Sequence, residues 1–250
     1  MAGHSKWANI KHTKARMDAK RGKLFTKLIR EITVAARMGG AEVDTNPRLR
    51  LAYDKAMGCN MPKDTIMRAI KRGLGADDSA QMMDMRYEGY GPGGVAVMVD
   101  CLTDNKNRTV AEVRHALTKC GGNMGTTGCV SYLFEHKGKI TFDPSVDAET
   151  VMEIGLESGV EEVFEDQYDG CAAAVCAPLD FDALLAAYKA AGLSIAQAQV
   201  TWLPTTEVAL DLEQAEQMLR MLDLLEDLDD VQEVYSNAQI APAVIAELPR

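Results

Sequence analysis

Basic side chains recur along the first part of this chain at a spacing suited to gripping phosphate. Arg16, Lys20, Lys23, Lys27, Arg30 and Arg37 are separated by three, four or seven residues. At 100° per residue they fall within about a third of a helix circumference. Leu24, Phe25, Leu28, Ile29, Ile32, Ala35 and Ala36 fall on the opposite side. The pattern predicts an amphipathic helix with a cationic and an apolar stripe back to back. Lys6, Trp7, Lys11, His12, Lys14 and Arg21 thicken the positive charge before and within it. An indole at Trp7 could stack on a base or pack against its own domain. Lys63, Arg68, Lys71 and Arg72 stud a later segment with the same chemistry. A merely solvated face would interleave both signs in i,i+4 pairs, yet the only carboxylate before residue 31 is Asp18. All sixteen residues are therefore candidates for contact with a nucleic-acid backbone.

Three helices must hold them. The long one is interrupted or passed through at Gly22 and stopped by Gly39 and Gly40. Asn46 and Pro47 read as an N-cap followed by proline at the first helical position, opening 48–57. Pro62 opens a third helix, with Ile66, Ala69 and Ile70 inward and Gly73 as its stop. Cys59, Asn60 and Met61 could be the turn of a helix-turn-helix, with Lys63, Arg68 and Lys71 presented by its second helix. That helix lacks the Asn, Gln or Ser side chains that read base edges, so its cations suit phosphate contact better.

The overall net charge of −10 conceals two unlike parts. Residues 1–75 hold 17 Lys and Arg against 6 Asp and Glu; the rest holds 10 against 31. An acidic body is repelled by phosphate, which would turn the basic end toward a polyanion. The chain shows neither a secretory signal nor an apolar run long enough for a membrane. Six cysteines form no C-x-x-C pair, and the expected location is the cytoplasm with reduced thiols.

In the acidic part the periodicity predicts alternating strands and helices. A strand over 95–102, a helix opened by a Thr109/Glu112 capping box and a strand over 129–134 make βαβ. Residues 136–203 give βαββαβ, and residues 204–240 give a final βαβ. The expected fold class is α+β: an N-terminal helical domain (1–78) followed by two ferredoxin-like sandwiches. One sandwich (136–203) is inserted into the other (79–135 plus 204–240).

Other motifs carry less. Gly89, Gly91 and Gly94 satisfy G-x-G-x-x-G, but the loop precedes a strand and Pro92 removes an amide donor, so it is a turn and not a dinucleotide site. The four histidines never pair at metal spacing, and no metal, cofactor or catalytic constellation is expected. Glu226, Asp227, Asp229 and Asp230 read as a solvated helix end rather than a Mg²⁺ site. The 95–102 strand has no aromatic, and Tyr132 with Phe134 is a weak stacking platform, so the body is not an ordinary RNA-recognition motif. The polar loop 103–109 reads mainly as a capped strand-to-helix turn.

Several words of this sequence resemble the YebC/PmpR family. They include Gly3-His4-Ser5-Lys6-Trp7-Ala8-Asn9-Ile10-Lys11-His12, Asp18-Ala19-Lys20-Arg21-Gly22-Lys23 and Phe25-Thr26-Lys27-Leu28-Ile29-Arg30-Glu31-Ile32. Others are Asn46-Pro47-Arg48-Leu49-Arg50, Asn60-Met61-Pro62-Lys63-Asp64, Tyr87-Glu88-Gly89-Tyr90-Gly91-Pro92-Gly93-Gly94, the run 102–115, and Asp227-Leu228-Asp229-Asp230-Val231. The resemblance departs at Thr13, where a lysine is expected, and after Asn237. It implies three domains and a non-enzymatic regulator of gene expression. Members are described as probable transcriptional regulators that bind DNA. Relatives, including the mitochondrial translational activator of cytochrome oxidase, are tied to the ribosome.

Three functions follow as expectations. The first is a DNA-binding transcriptional regulator, the second an RNA- or ribosome-binding translation factor, and the third an enzyme on a ferredoxin-like scaffold, for which the sequence offers no acid/base or nucleophile constellation. The acidic domains could recruit a protein partner, and no membrane partner is expected.

Overall fold

The computed structural model describes residues 14–75, 82–166 and 170–248, with side chains in the first helix from Gly22 onward. Helix α1 (Lys14–Gly39) runs through Gly22 without a break. Its apolar stripe is buried as expected: Leu28, Ile32, Ala35 and Ala36 pack on Leu49, Ala52 and Ala56 of α2 (Pro47–Gly58) and on Ile66, Ala69 and Ile70 of α3 (Lys63–Leu74). Asn46 caps α2, accepting from the Leu49 amide at 3.1 Å. Its Nδ2 donates to the carbonyls of Ala35 (2.8 Å) and Gly40 (2.9 Å), which locks the α1–α2 corner. Gly73 does not stop α3. It is buried inside the last turn, where a Cβ would lie 2.3 Å from the Thr33 carbonyl oxygen and 2.9 Å from the Ala36 Cβ. Its role is close approach of two helices.

Two four-stranded sheets follow. The strands are β1 (Met83–Tyr90), β2 (Ala96–Thr103), β3 (Asn123–Met124), β4 (Phe134–Phe142), β5 (Val160–Glu165), β6 (Ala172–Cys176), β7 (Ile195–Pro204) and β9 (Val231–Ser236). Between Pro204 and the end, β8 (Val208–Ala209) pairs in parallel with β10 (Ala238–Gln239). The helices are α4 (Lys106–Lys119), α5 (Ala148–Gly155), α6 (Phe181–Ala190), α7 (Leu212–Glu226) and α8 (Pro242–Glu247). The inserted sheet has the order β5-β6-β4-β7, antiparallel throughout, with α5 and α6 packed over Ile140, Phe142, Ala174 and Cys176. That is the ferredoxin-like plan. The outer sheet has the matching order β3-β1-β2-β9, also antiparallel, under α4 and α7. Here the chain visits the strands differently, because β1 comes before β2 rather than after β3.

Strand β1 lies outside the expected pattern because half of it is charged. Met85 and Tyr87 pack into the core, while Asp84, Arg86 and Glu88 point the other way and find partners. Arg86 forks onto Asp100 at 2.6 and 2.8 Å. Buried Glu88 accepts from the amides of Gly128, Val130 and Ser131 at 2.8–2.9 Å. Burial alone would raise the Glu88 carboxyl, but those three amides and Arg86 hold it below the usual range. Glu88 thereby clasps the loop that leads into the inserted sandwich. The segment expected as a strand over 129–134 is instead a 3-10 turn (Ser131–Leu133) before β4 begins. The loop of glycines 89–94 joins β1 to β2 through a 3-10 turn, with Gly93 and Gly94 at φ 70° and 79°.

Helix α4 also starts earlier than expected. Asn105, not Thr109, is its N-cap and accepts from the Arg108 amide at 3.1 Å. Thr109 lies inside the helix, where its buried hydroxyl sits 2.9 Å from Asp230 Oδ2 and 2.8 Å from the Thr103 hydroxyl.

Candidate nucleic-acid interface

Lys23, Lys27 and Arg30 share one side of α1, opposite its apolar stripe. That side faces the acidic body. Lys23 Nζ lies 3.2 Å from both the carbonyl oxygen and Oδ1 of Asp227. Lys27 donates to the Glu226 carbonyl at 2.6 Å. Arg30 Nη1 reaches the carbonyls of Asp229 (2.9 Å) and Leu102 (3.3 Å) and Asp230 Oδ1 (3.1 Å). Apart from Leu102 in β2, these acceptors are the C-terminal end of α7 and the turn after it, where orphan carbonyls and the helix dipole already favour cations. The run 226–230, expected as a solvated and repulsive end, is therefore a docking site. Its like charges are tolerated because α1 supplies three cations from about two hundred residues away in sequence.

Asp230 is the centre of this contact. It is 2% exposed and receives Arg30, both hydroxyls of Thr103 and Thr109, and Arg108 through Nε at 3.1 Å and Nη2 at 2.8 Å. Burial would raise its pKa, yet the hydrogen bonds from Arg108, Thr109 and Thr103 hold it below the usual carboxylate range. The polar loop 103–109 is thus explained by a buried carboxylate as well as by the Asn105 cap. Lys27 shows the opposite balance: burial pushes its ammonium down to about 8, against the pull of Glu226, Asp227 and Asp229.

Helix α2 adds three more cations to the same seam. Arg48 forks onto Glu31 (2.6 and 3.1 Å) and onto Asp84 of β1 (2.9 and 2.8 Å), which raises its pKa further. Arg50 reaches Asp182 of α6 at 3.0 Å, and Lys55 pairs with Glu233 of β9. None of Arg48, Arg50 and Lys55 is a candidate by sequence. Their partners lie far along the chain, and Asp84 sits on a strand that periodicity does not reveal. Among the described residues no hydrophobic cluster joins the helical unit to the sandwiches, whereas Ala96, Met98 and Phe134 with Trp202 and Tyr235 join the two sandwiches to each other. In that second interface Trp202 stacks on His136 at 4.9 Å and lies 4.5 Å from the Arg86 guanidinium carbon.

Helix α3 is different. Lys63, Arg68, Lys71 and Arg72 are all exposed, and among the described residues none pairs with a carboxylate of the body. Arg68 donates within its own helix, to the Asp64 carbonyl and the Thr65 hydroxyl at 3.2 Å. Met67 (50% exposed) and Leu74 (55%) share this outward face with Lys63 and Lys71. Arg37 is exposed at the end of α1. Lys14, Arg16, Lys20 and Arg21 belong to the first turns of α1, their side chains outside the described set, and Lys6, Trp7, Lys11 and His12 lie outside the described residues. The structure thus divides the candidates: Lys23, Lys27 and Arg30 meet at the intramolecular seam, and the α3 cations form a separate open face. Of the two aromatics of the weak stacking platform, Tyr132 is 72% exposed and Phe134 is buried. Among the described residues there is no group of three or more His, Cys, Asp or Glu suited to a metal, and no helix long and apolar enough to cross a membrane.

Comparison with known proteins places this arrangement. Residues 5–76 match the TACO1/YebC protein N-terminal domain, and residues 82–238 match the TACO1/YebC second and third domain. A probable transcriptional regulatory protein of Coxiella burnetii (strain Dugway 5J108-111) is 63% identical over 98% of this chain and all of its own length. A protein of the same description from Methylococcus capsulatus is 58% identical over 99% of this chain and all of its own. The crystal structure of a conserved hypothetical protein from Aquifex aeolicus superposes with a TM-score of 0.80 at 47% identity, over 94% of this chain and 97% of that one. The chain belongs to the TACO1/YebC family.

Proposed function

We propose that this protein is a non-enzymatic regulator of gene expression that binds nucleic acid by its phosphate backbone, with DNA as the first target. One observation carries the reading: among the described residues six cations of α1 and α2 engage the chain's own acidic body, whereas four cations of α3 stay exposed on one helix. Cations without partners cost little in water but gain strongly from a polyanion through counterion release. Relatives described as probable transcriptional regulatory proteins support the regulatory role. A second reading, a structured RNA such as that of the ribosome, draws on the same helix. Its outward side chains are Lys, Arg, Asp, Met and Leu, which grip a backbone and offer no bidentate amide to a base.

Binding of a labelled 20-bp DNA duplex and of a 20-bp RNA hairpin, followed by anisotropy across a salt series, tests this. Reversing Lys63, Arg68, Lys71 and Arg72 to Glu should flatten the slope of log K against log salt by about one unit for each phosphate no longer gripped. An unchanged slope removes α3 from the interface. Crosslinking in cells then separates the polymers: ribosomal RNA dominating the recovered sequences replaces the DNA reading, and discrete promoters support it.

A further inference from the structure

The seam between α1 and α7 looks like an occupied anion site. Lys23, Lys27 and Arg30 converge on a row of oxygens: the carbonyls of Glu226, Asp227 and Asp229 and the carboxylates of Asp227 and Asp230. Phosphate oxygens offer the same acceptors and a full negative charge. Lys23 and Arg30 are seven residues apart, about 10 Å along the helix. At about 3.4 Å per nucleotide of one strand, that length spans roughly three phosphates.

The seam is also built to open. Among the described residues, Lys23, Lys27, Arg30, Arg48, Arg50 and Lys55 join the helical unit to the sandwiches by ion pairs and hydrogen bonds. No hydrophobic cluster of the described residues crosses it. Several pairs are half-exposed, such as Lys23–Asp227 (47% and 54%) and Arg50–Asp182 (38% and 67%). Exposed pairs of this kind are worth little each and weaken with salt, and a polar interdomain interface permits relative motion. A polyanion brought close by the open α3 face competes directly for the same cations.

We propose that Lys23, Lys27 and Arg30 form a second, covered phosphate-binding site, held shut in cis by the acidic end of α7 and taken over by a nucleic-acid backbone when the helical unit swings away. This rests on the nucleic-acid reading above. The open face of α3 makes the first contact, and the covered site adds contacts once the seam parts. The acidic run 226–230 then sets how much affinity is withheld, because binding that needs a minor open state is weakened by the fraction of molecules that are open.

The test uses the full chain and the same 20-bp duplex. Neutralising the two exposed acids by Asp227→Asn and Asp229→Asn should tighten binding roughly tenfold, and steepen the salt slope by up to about three units, one per uncovered cation. Glu213→Gln with Glu216→Gln, the same charge change at the far end of α7, controls for general repulsion. Carbodiimide labelling of carboxylates supplies the second readout. In the wild-type protein, adding the duplex should increase labelling at Asp227 as it loses Lys23. If the wild type binds the duplex with labelling unchanged, or if the two pairs of variants tighten binding equally, the covered site is overturned and the α3 reading stands. If neither wild type nor variants bind duplex or hairpin, both fall together.

Discussion

Helices α1 and α3 each carry several cations and belong to one small core, yet their charges have different fates. The α1 stripe between Lys23 and Arg30 is paired with carbonyls and carboxylates of α7 and its following turn; the α3 cations stand in solvent. The difference lies in what sits opposite, and not in the helices. A stripe without nearby carboxylates in sequence can be neutralised by a segment two hundred residues on. The charge asymmetry between the two parts of the chain therefore has an internal use as well as an external one: it holds the parts together.

The comparison can be broken most severely at Asp230. Asp230→Ala leaves Arg108 and Arg30 facing a seam without its anion and strands two buried hydroxyls, so it should lower stability by about 3 kcal/mol in urea unfolding. A loss below about 1 kcal/mol would mean that water replaces the carboxylate and that the hub does not hold α1. Next is Gly73→Ala, which forces α1 and α3 apart through a Cβ 2.3 Å from the Thr33 carbonyl. A cost of about 2 kcal/mol is expected, of the size of other overpacking changes. Full stability in that variant would show that the two helices slide freely.

Acid titration sharpens the same contrast. Asp230 and Glu88 both sit below the ordinary carboxylate range in the folded chain. Their stabilisation is complete above the unfolded value near 4 and disappears as pH falls through the lower folded values. Asp230→Asn should flatten this acid limb of a stability–pH curve, and neutralising the α3 cations should leave it unchanged. The smallest expected effect is at high pH. Lys27 has a pKa of about 8 when docked and an ordinary value near 10.5 when released. The docked form binds fewer protons between those values, so raising pH from 8 toward 10 should tighten the seam, seen as a rise in the urea midpoint that the Lys27→Met variant does not show. Lys55, also lowered by burial, acts in the same direction.

Much of the scaffold is legible in the sequence. The apolar stripe of α1, the Asn46 cap, strand β6 and the inserted βαββαβ unit all follow from periodicity and cap chemistry, which are local. The glycine loop 89–94 is readable as a turn because a strand, not a helix, follows it and Pro92 removes an amide donor. What is not legible depends on partners distant in sequence. β1 is an interior strand whose charges at Asp84, Arg86 and Glu88 are satisfied by Arg48, Asp100 and three loop amides. Thr109 resembles a cap in sequence because its role, a bond to Asp230, lies 121 residues away. Gly73 resembles a stop because close packing between helices leaves no mark except the glycine itself. The destination of the α1 stripe belongs to the same class.

The inserted sandwich begins and ends at one place: Phe134 at the start of β4 stands opposite Pro204 at the end of β7. A nascent chain meets this unit before the outer one is complete, since α7 and β9 are synthesised after it. Once β4 and β7 have paired, everything between them becomes a single closed junction. The outer sheet then has a much shorter effective loop to close when β9 joins β2. The insertion thus acts as a clasp during assembly, bringing the two halves of its host within reach of each other.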